Sequence, residues 1–241
     1  MAIIINKLRK EYKDVVAVDD LSLEIKDGEL FSLLGVNGAG KTTTVKMLAT
    51  LVRPTAGDAS LNGASILTDG DRLREMTDIS MQETAVARKL TVEENISFYA
   101  ELCGQTKTEA EETKKSLYSA FELNKVASKR ADRLSGGWQR KLSIALALVK
   151  KPKILFLDEP TLGLDVISRR ELWKVISSLK KDMTIILTTH YMEEAEALSD
   201  RLGIMKDGKL LFVGTKEELF AATKKTNVEE AFIETVSGGA L

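Results

Sequence analysis

Gly35-Val36-Asn37-Gly38-Ala39-Gly40-Lys41-Thr42 is the stretch that decides how this chain folds. It matches G-x4-G-K-[ST], a loop whose backbone N–H groups converge on a phosphate when a strand leads in and a helix leads out. Both flanks comply: Leu30–Leu34 is an apolar run of strand type, and Lys41–Leu51 reads as a helix that stops before Pro54. Glycines let the backbone approach an anion, and the helix N-terminus adds partial positive charge. Lys41 can bridge the β- and γ-phosphates, and Thr42 can ligate Mg²⁺. A plain glycine-rich turn is the competing reading of the loop by itself.

Upstream, Ile3–Leu8, Val15–Val18 and Leu21–Ile25 are short β-rich runs separated by turn residues such as Lys13-Asp14 and Asp27-Gly28, which predicts an antiparallel N-terminal sheet. Downstream, the stretch from Thr91 to Val149 turns helical. It carries a capping-box pair, Thr91 and Glu94, then a charged helix over Glu109–Phe121, then Leu142, Ala145, Leu146 and Val149 at helical spacing. Strands and helices then alternate: Ile154–Leu157, Ser168–Leu179, Thr184–Thr188, Met192–Leu198, Leu202–Met205 and Leu210–Val213. That alternation predicts an α/β fold with a parallel sheet covered by helices. One domain is expected. Its core comprises about 1–84 and 150–214, a helical subdomain fills about 85–149, and a short helical tail covers 215–241, with Ser237–Leu241 as a loose end.

The 241 residues carry 35 Lys+Arg against 36 Asp+Glu, 44% hydrophobic and 5% aromatic residues, a soluble globular balance. Cys103 is the sole cysteine, so no intrachain disulfide or cysteine-rich zinc site can form; it reads as a packing residue, and a reducing cytosol is the expected compartment. The longest stretch free of Asp, Glu, Lys and Arg is Leu30–Gly40, eleven residues, where a membrane-spanning helix needs about 20 apolar ones. Met1–Asn6 lacks the pattern of a signal peptide. The balanced charge and scarce aromatics disfavour nucleic acid as a partner.

Three further stretches carry chemistry. Ile154-Leu155-Phe156-Leu157 shows no alternation, as expected of a strand buried on both faces, and ends in Asp158-Glu159. Beside a phosphate loop, that pair suits a Mg²⁺ shell and a base for an attacking water; alone, it would read as a cap or a solvated turn. Leu134-Ser135-Gly136-Gly137-Trp138-Gln139 precedes a helix, 23 residues before Asp158. It is either a bare N-terminal cap or an anion site. The sole histidine, His190, follows the apolar run Thr184–Thr189.

Taken in order, these stretches resemble the ATP-binding cassette ATPases. Gly35–Thr42 looks like the Walker A loop, Gln82 the Q-loop, Leu134–Gln139 the signature, Ile154–Glu159 the Walker B strand, Leu162–Asp165 the D-loop and His190 the switch histidine. The resemblance runs from Tyr12 to about Gly214 and implies a P-loop NTPase core with a mixed or parallel sheet, an antiparallel N-terminal β-subdomain and an inserted helical subdomain. It implies ATP and Mg²⁺ as ligands. Lys41, Glu159 and His190 would be catalytic, with His190 sensing the γ-phosphate. Thr42, Gln82 and Asp158 would hold the metal. Tyr12 would stack on adenine, while Gly35, Asn37, Gly38, Ala39, Gly40, Lys41, Thr42 and Thr43 cradle the phosphates. Ser135, Gly136, Gly137 and Asp165 would complete the site of a second subunit. Two positions depart from the pattern: Trp138 stands where Gln is commonest, and Met81 where Pro often precedes the Q-loop Gln.

The resemblance also implies a head-to-tail dimer, either of this chain or with a homologue, because only one Walker set is present. It further implies a membrane-spanning permease as partner and a location on the inner face of the cell membrane. The runs Thr188–Glu196, Asp200–Met205 and Val228–Ile233 are similar to ATPases of exporters with separate permeases, the ABC-2 group. Sugar-importer ATPases usually carry a long extension where only 27 residues follow Gly214. The competing classes are a soluble cassette acting on nucleic acid or ribosomes, and a non-hydrolysing regulatory subunit. A GTPase or small-molecule kinase would leave the signature unexplained, and no Asn-Lys-x-Asp motif is present.

Overall fold

The computed structural model describes residues 3–180 and 182–238. The parts of the expected N-terminal run and loose C-terminal end that fall on 1–2 and 239–241 lie outside the described residues.

Strands β1 (Ile3–Tyr12) and β2 (Val15–Ile25) form an antiparallel hairpin in which Tyr12 pairs with Val15 across Lys13-Asp14. The two runs Val15–Val18 and Leu21–Ile25 are thus one strand, not two. A register shift against β1 and a left-handed Asp20 (φ 51°) absorb the irregularity that makes the sequence look broken. β3 (Leu30–Gly35) leads through the glycine loop into α1 (Lys41–Leu48). This helix ends three residues before the predicted Leu51. Thr50 turns left-handed (φ 59°) and Leu51 N–H bonds back to the Lys46 carbonyl, a helix exit made without the glycine that usually signals one.

Next come β4 (Ala56–Leu61), β5 (Ala64–Ser65), α2 (Gly70–Met76) and β6 (Thr77–Ser80). Helices α3 (Val92–Leu102) and α4 (Lys107–Phe121) follow. Thr91 and Glu94 close the expected capping box on α3, and Thr106 with Glu109 closes a second on α4. After α5 (Gly136–Ala147) the chain alternates: β7 (Ile154–Asp158), α6 (Val166–Leu179), β8 (Thr184–Thr189), α7 (Met192–Leu198), β9 (Arg201–Lys206) and β10 (Lys209–Gly214). Helices α8 (Lys216–Thr223) and α9 (Val228–Val236) end the described chain.

Two sheets result. One is antiparallel, in the order β2-β1-β4-β5; the other runs β10-β9-β3-β8-β7-β6, parallel except for β10 against β9. The alternate residues of β7 explain why its sequence shows no polar face. Ile154 and Phe156 join a core with the antiparallel sheet and α1, while Leu155 and Leu157 join a second core with α3, α4, α5 and α6. A third cluster packs α7, α8 and α9 against Leu34, Leu202 and Ile204. The central sheet is therefore covered on both faces, with the C-terminal tips of β3, β7 and β8 aligned at one edge.

Phe156 is fully buried on β7, between β8 and β6. Phe156→Ala is expected to cost about 3–5 kcal/mol, measured as a fall in the urea midpoint at unchanged slope.

Candidate active site

The glycine loop closes over the end of β3 because two glycines allow what no other residue could. A Cβ on Gly35 would sit 2.4 Å from the Met205 carbonyl oxygen. Gly40 has φ +103°, and a Cβ there would lie 2.3 Å from the Ala17 carbonyl oxygen. The loop is thereby pressed onto β2 and β9, and Gly208 N–H donates to the Ala39 carbonyl from the β9–β10 turn. The buried Lys41 ammonium donates to the Gly35 and Val36 carbonyls (2.7 and 3.2 Å) and lies 3.3 Å from Glu159 Oε1.

Asp158 ends β7 fully buried. Its Oδ1 accepts from Thr42 Oγ1 (2.9 Å) and Thr188 Oγ1 (2.6 Å), joining α1, β7 and β8. Its Oδ2 is buried and has no hydrogen-bond partner. Among the described residues no cluster of three or more His, Cys, Asp or Glu side chains could hold a metal ion. A hard cation that binds through one carboxylate, one hydroxyl and the oxygens of a bound phosphate fits this arrangement, and Mg²⁺ has that habit.

Glu159 takes the left-handed conformation (φ 48°). In a non-glycine residue this costs about 1–3 kcal/mol and persists only where neighbours hold it. They do: Glu159 N–H donates to both the carbonyl and the hydroxyl of Thr188, and its Oε2 meets His190 Nδ1 at 2.8 Å. An ionised carboxylate can only accept, so Nδ1 carries the proton.

Gly38, Ala39, Gly40, Lys41, Thr42, Glu159 and His190 border a cleft of about 520 Å³ that also takes in Tyr12, Ala17, Asn37, Thr43, Gln82 and Leu162. Gly35 and Asp158 do not border it; they are buried and bonded to Lys41 and Thr42, which do. Tyr12 is partly exposed, with Lys10 Nζ 4.9 Å from its ring centroid. Gln82 is held through its backbone. Arg140, buried in α5, donates to the Met81 and Gln82 carbonyls at 2.7 and 2.6 Å, and burial pulls its guanidinium below the usual arginine value. Ser135, Gly136, Gly137 and Asp165 do not border this cleft. Ser135 stands at the N-cap of α5 with its hydroxyl making no cap bond, whereas Asp165 caps α6 through the Ile167 and Ser168 N–H groups. Those bonds hold its carboxyl below the usual range. Trp138 packs at the edge of the helical core under Lys141, whose Nζ lies 4.7 Å from its ring centroid.

Leu162 and Thr188 enter the sequence reading only as members of runs such as Leu162–Asp165 and Thr188–Glu196, with no part in the cleft, and Ala17 and Arg140 carry no signal at all.

A strand–loop–helix phosphate cradle on β3, a histidine just past the tip of the adjacent β8 and a buried carboxylate pair at the tip of β7 beyond it define a phosphate-loop ATPase. A family profile described as "ABC transporter" matches residues 18–162, and the chain belongs to that family as one of its ATP-binding, ATP-hydrolysing cassettes. It is 40% identical over 222 residues to the doxorubicin resistance ATP-binding protein DrrA of Mycobacterium tuberculosis, covering 91% of this chain and 67% of that protein. A solved ATP-binding subunit of an ABC transporter superposes with TM-score 0.86 at 26% identity, covering 98% of this chain and 100% of that one. The dimeric structure of MJ0796, a bacterial ABC transporter cassette, gives TM-score 0.80 at 25% identity over 88% of this chain and 98% of that one. Among the described residues no helix is long and apolar enough to cross a membrane.

Gly40→Ala is expected to lower ATP affinity about tenfold or more, because strain of 1–3 kcal/mol falls on the bound loop; fluorescent-nucleotide titration reads it. A second expectation concerns Glu194, a fully buried residue of α7 that accepts from Trp173 Nε1 at 3.0 Å. Burial, helped by the nearby Glu159 charge, pushes its carboxyl above the ordinary 4.5, against the opposing hydrogen bond from Trp173. The native state therefore favours the neutral acid. That contribution is present below pH 4.5 and fades as pH rises through the elevated native value. Glu194→Gln keeps an acceptor for Trp173 and cannot ionise, so its stability relative to the parent should improve from pH 5 to pH 8 in urea titrations. A pH-independent difference would contradict this.

Proposed function

We propose that this cassette hydrolyses Mg²⁺-ATP to drive an exporter, working as one half of a head-to-tail pair beneath a separate membrane-spanning permease on the inner face of the cell membrane. The observation that carries the paired reading is the split of the expected residues. Those for nucleotide, metal and water border one cleft, apart from Gly35 and Asp158, which are bonded to its Lys41 and Thr42, while Ser135, Gly136 and Gly137 lie outside it, with the Ser135 hydroxyl making no cap bond at a helix N-terminus. A helix start with free donors suits the γ-phosphate of ATP held by another subunit. The dimeric form of the similar cassette MJ0796 and the doxorubicin resistance for which DrrA is named support the pair and the export direction respectively.

Within the cleft, the Gly35–Thr43 loop and Lys41 hold the β- and γ-phosphates, and Tyr12 stacks on the adenine. Thr42, Asp158 and Gln82 hold Mg²⁺, which when bound neutralises charge on the phosphate oxygens. Glu159 accepts a proton from the attacking water, and His190, fixed by its bond to Glu159, meets the γ-phosphate. Phosphate leaves with its charge countered by Lys41. We place the helical subdomain at 85–149, between the two parts of the core; the Arg140 bond to the Met81–Gln82 backbone gives it a rigid link to the cleft.

Glu159→Gln is expected to bind ATP normally and cut phosphate release by about 10²–10⁴-fold, leaving a stable pair on size-exclusion chromatography in ATP and Mg²⁺. Turnover at the parent rate would overturn the base assignment. A monomer with ATP bound would overturn the paired site.

A further inference from the structure

Helix α6 starts at Asp165, in the stretch proposed above for the seam, and two of its side chains one turn apart reach the segment that follows β8. Arg169 lays its guanidinium carbon 4.3 Å from the Tyr191 ring centroid, and Trp173 donates to Glu194. The Tyr191 ring in turn lies 4.2 Å, centroid to centroid, from the His190 imidazole at an interplanar angle of 39°. His190 meets Glu159 through Nδ1 alone, and a ring held at one atom can still pivot about that bond. The face of Tyr191 blocks that pivot. Tyr191 itself makes no side-chain cap bond at the start of α7, and Arg169 Nε is buried without a hydrogen-bond partner. The guanidinium is thus placed for the ring rather than for a carboxylate, and a partly desolvated cation over an aromatic face is a specific attraction.

We propose that Tyr191, clamped by Arg169, is a positioning residue for hydrolysis: it fixes the His190 ring against Glu159 and connects that ring to α6 and so to Asp165. The inference rests on the catalytic reading of His190 and Glu159 given above. It touches neither substrate nor metal, so it acts on turnover and leaves nucleotide binding alone.

Because the chain has a single histidine, its imidazole signals in tag-free protein report on this ring without ambiguity. Arg169→Ala is expected to shift the imidazole carbon and proton resonances in the same sense as Tyr191→Ala, while Arg169→Lys, which keeps a cation over the ring, leaves them near the parent positions. In kinetics, Tyr191→Ala and Arg169→Ala should each lower kcat about tenfold, within the range of a partly desolvated cation–aromatic contact. KM for ATP and the thermal midpoint should hold, and Tyr191→Phe should keep most of the rate. In a His190→Ala background, Tyr191→Ala should cost nothing further. If His190→Ala loses turnover but neither Tyr191→Ala nor Arg169→Ala does, or if Arg169→Ala leaves the imidazole resonances unmoved, the positioning role alone is overturned. If His190→Ala itself turns over at the parent rate, the reading of His190 falls and this inference with it. Should Tyr191→Ala fail to fold, the Arg169→Ala and Arg169→Lys pair decides the matter.

Discussion

One carboxylate oxygen holds the catalytic edge together. Asp158 Oδ1 accepts hydroxyl protons from Thr42 at the start of α1 and from Thr188 near the end of β8, so three elements far apart in sequence meet at a buried atom. A buried carboxylate is costly unless it is hydrogen-bonded, and the arrangement satisfies only half of it. Its Oδ2 stays buried without a partner, an acceptor that the Mg²⁺ proposed above would meet. Thr188 then extends the tie by accepting the Glu159 N–H, which keeps the adjacent base in a backbone conformation it would otherwise leave. The carboxylates proposed as metal ligand and general base are thus positioned by the same threonine.

Legibility in the sequence followed burial. β3, β7 and β8 are uninterrupted apolar runs because both of their faces are covered, and each was read to within a residue of its observed ends. β4 was missed. Ala56-Gly57-Asp58-Ala59-Ser60-Leu61 has poor intrinsic strand preference and is held by pairing with β1, a tertiary effect that no local window contains. The short exit of α1 at Thr50 and the single, bulged β2 escaped for the related reason that their left-handed residues are Thr and Asp, not Gly.

Among the candidate site residues, those carried on continuous motifs were legible and those that act across the fold were not. Lys41, Asp158, Glu159 and His190 converge as their order in the chain suggested. Arg140 was invisible, because its contacts are two backbone carbonyls 58 and 59 residues upstream. Tyr191 stands in a run that carries no sign of the Arg169 guanidinium α6 lays upon its ring.

The sheet order has a consequence for how the molecule is made. β3 carries the phosphate loop, yet its hydrogen-bonded neighbours are β8 and β9, which emerge about 150 residues later. The β1–β2 hairpin can close as soon as it leaves the ribosome, but Leu30–Leu34 must wait for most of the chain, apolar and unpaired on both edges. Such long-range parallel pairing is slow and exposes sticky strands meanwhile. The nucleotide cradle is therefore among the last parts to form, and a chain stalled before residue 184 would carry the phosphate-binding sequence without a phosphate-binding site.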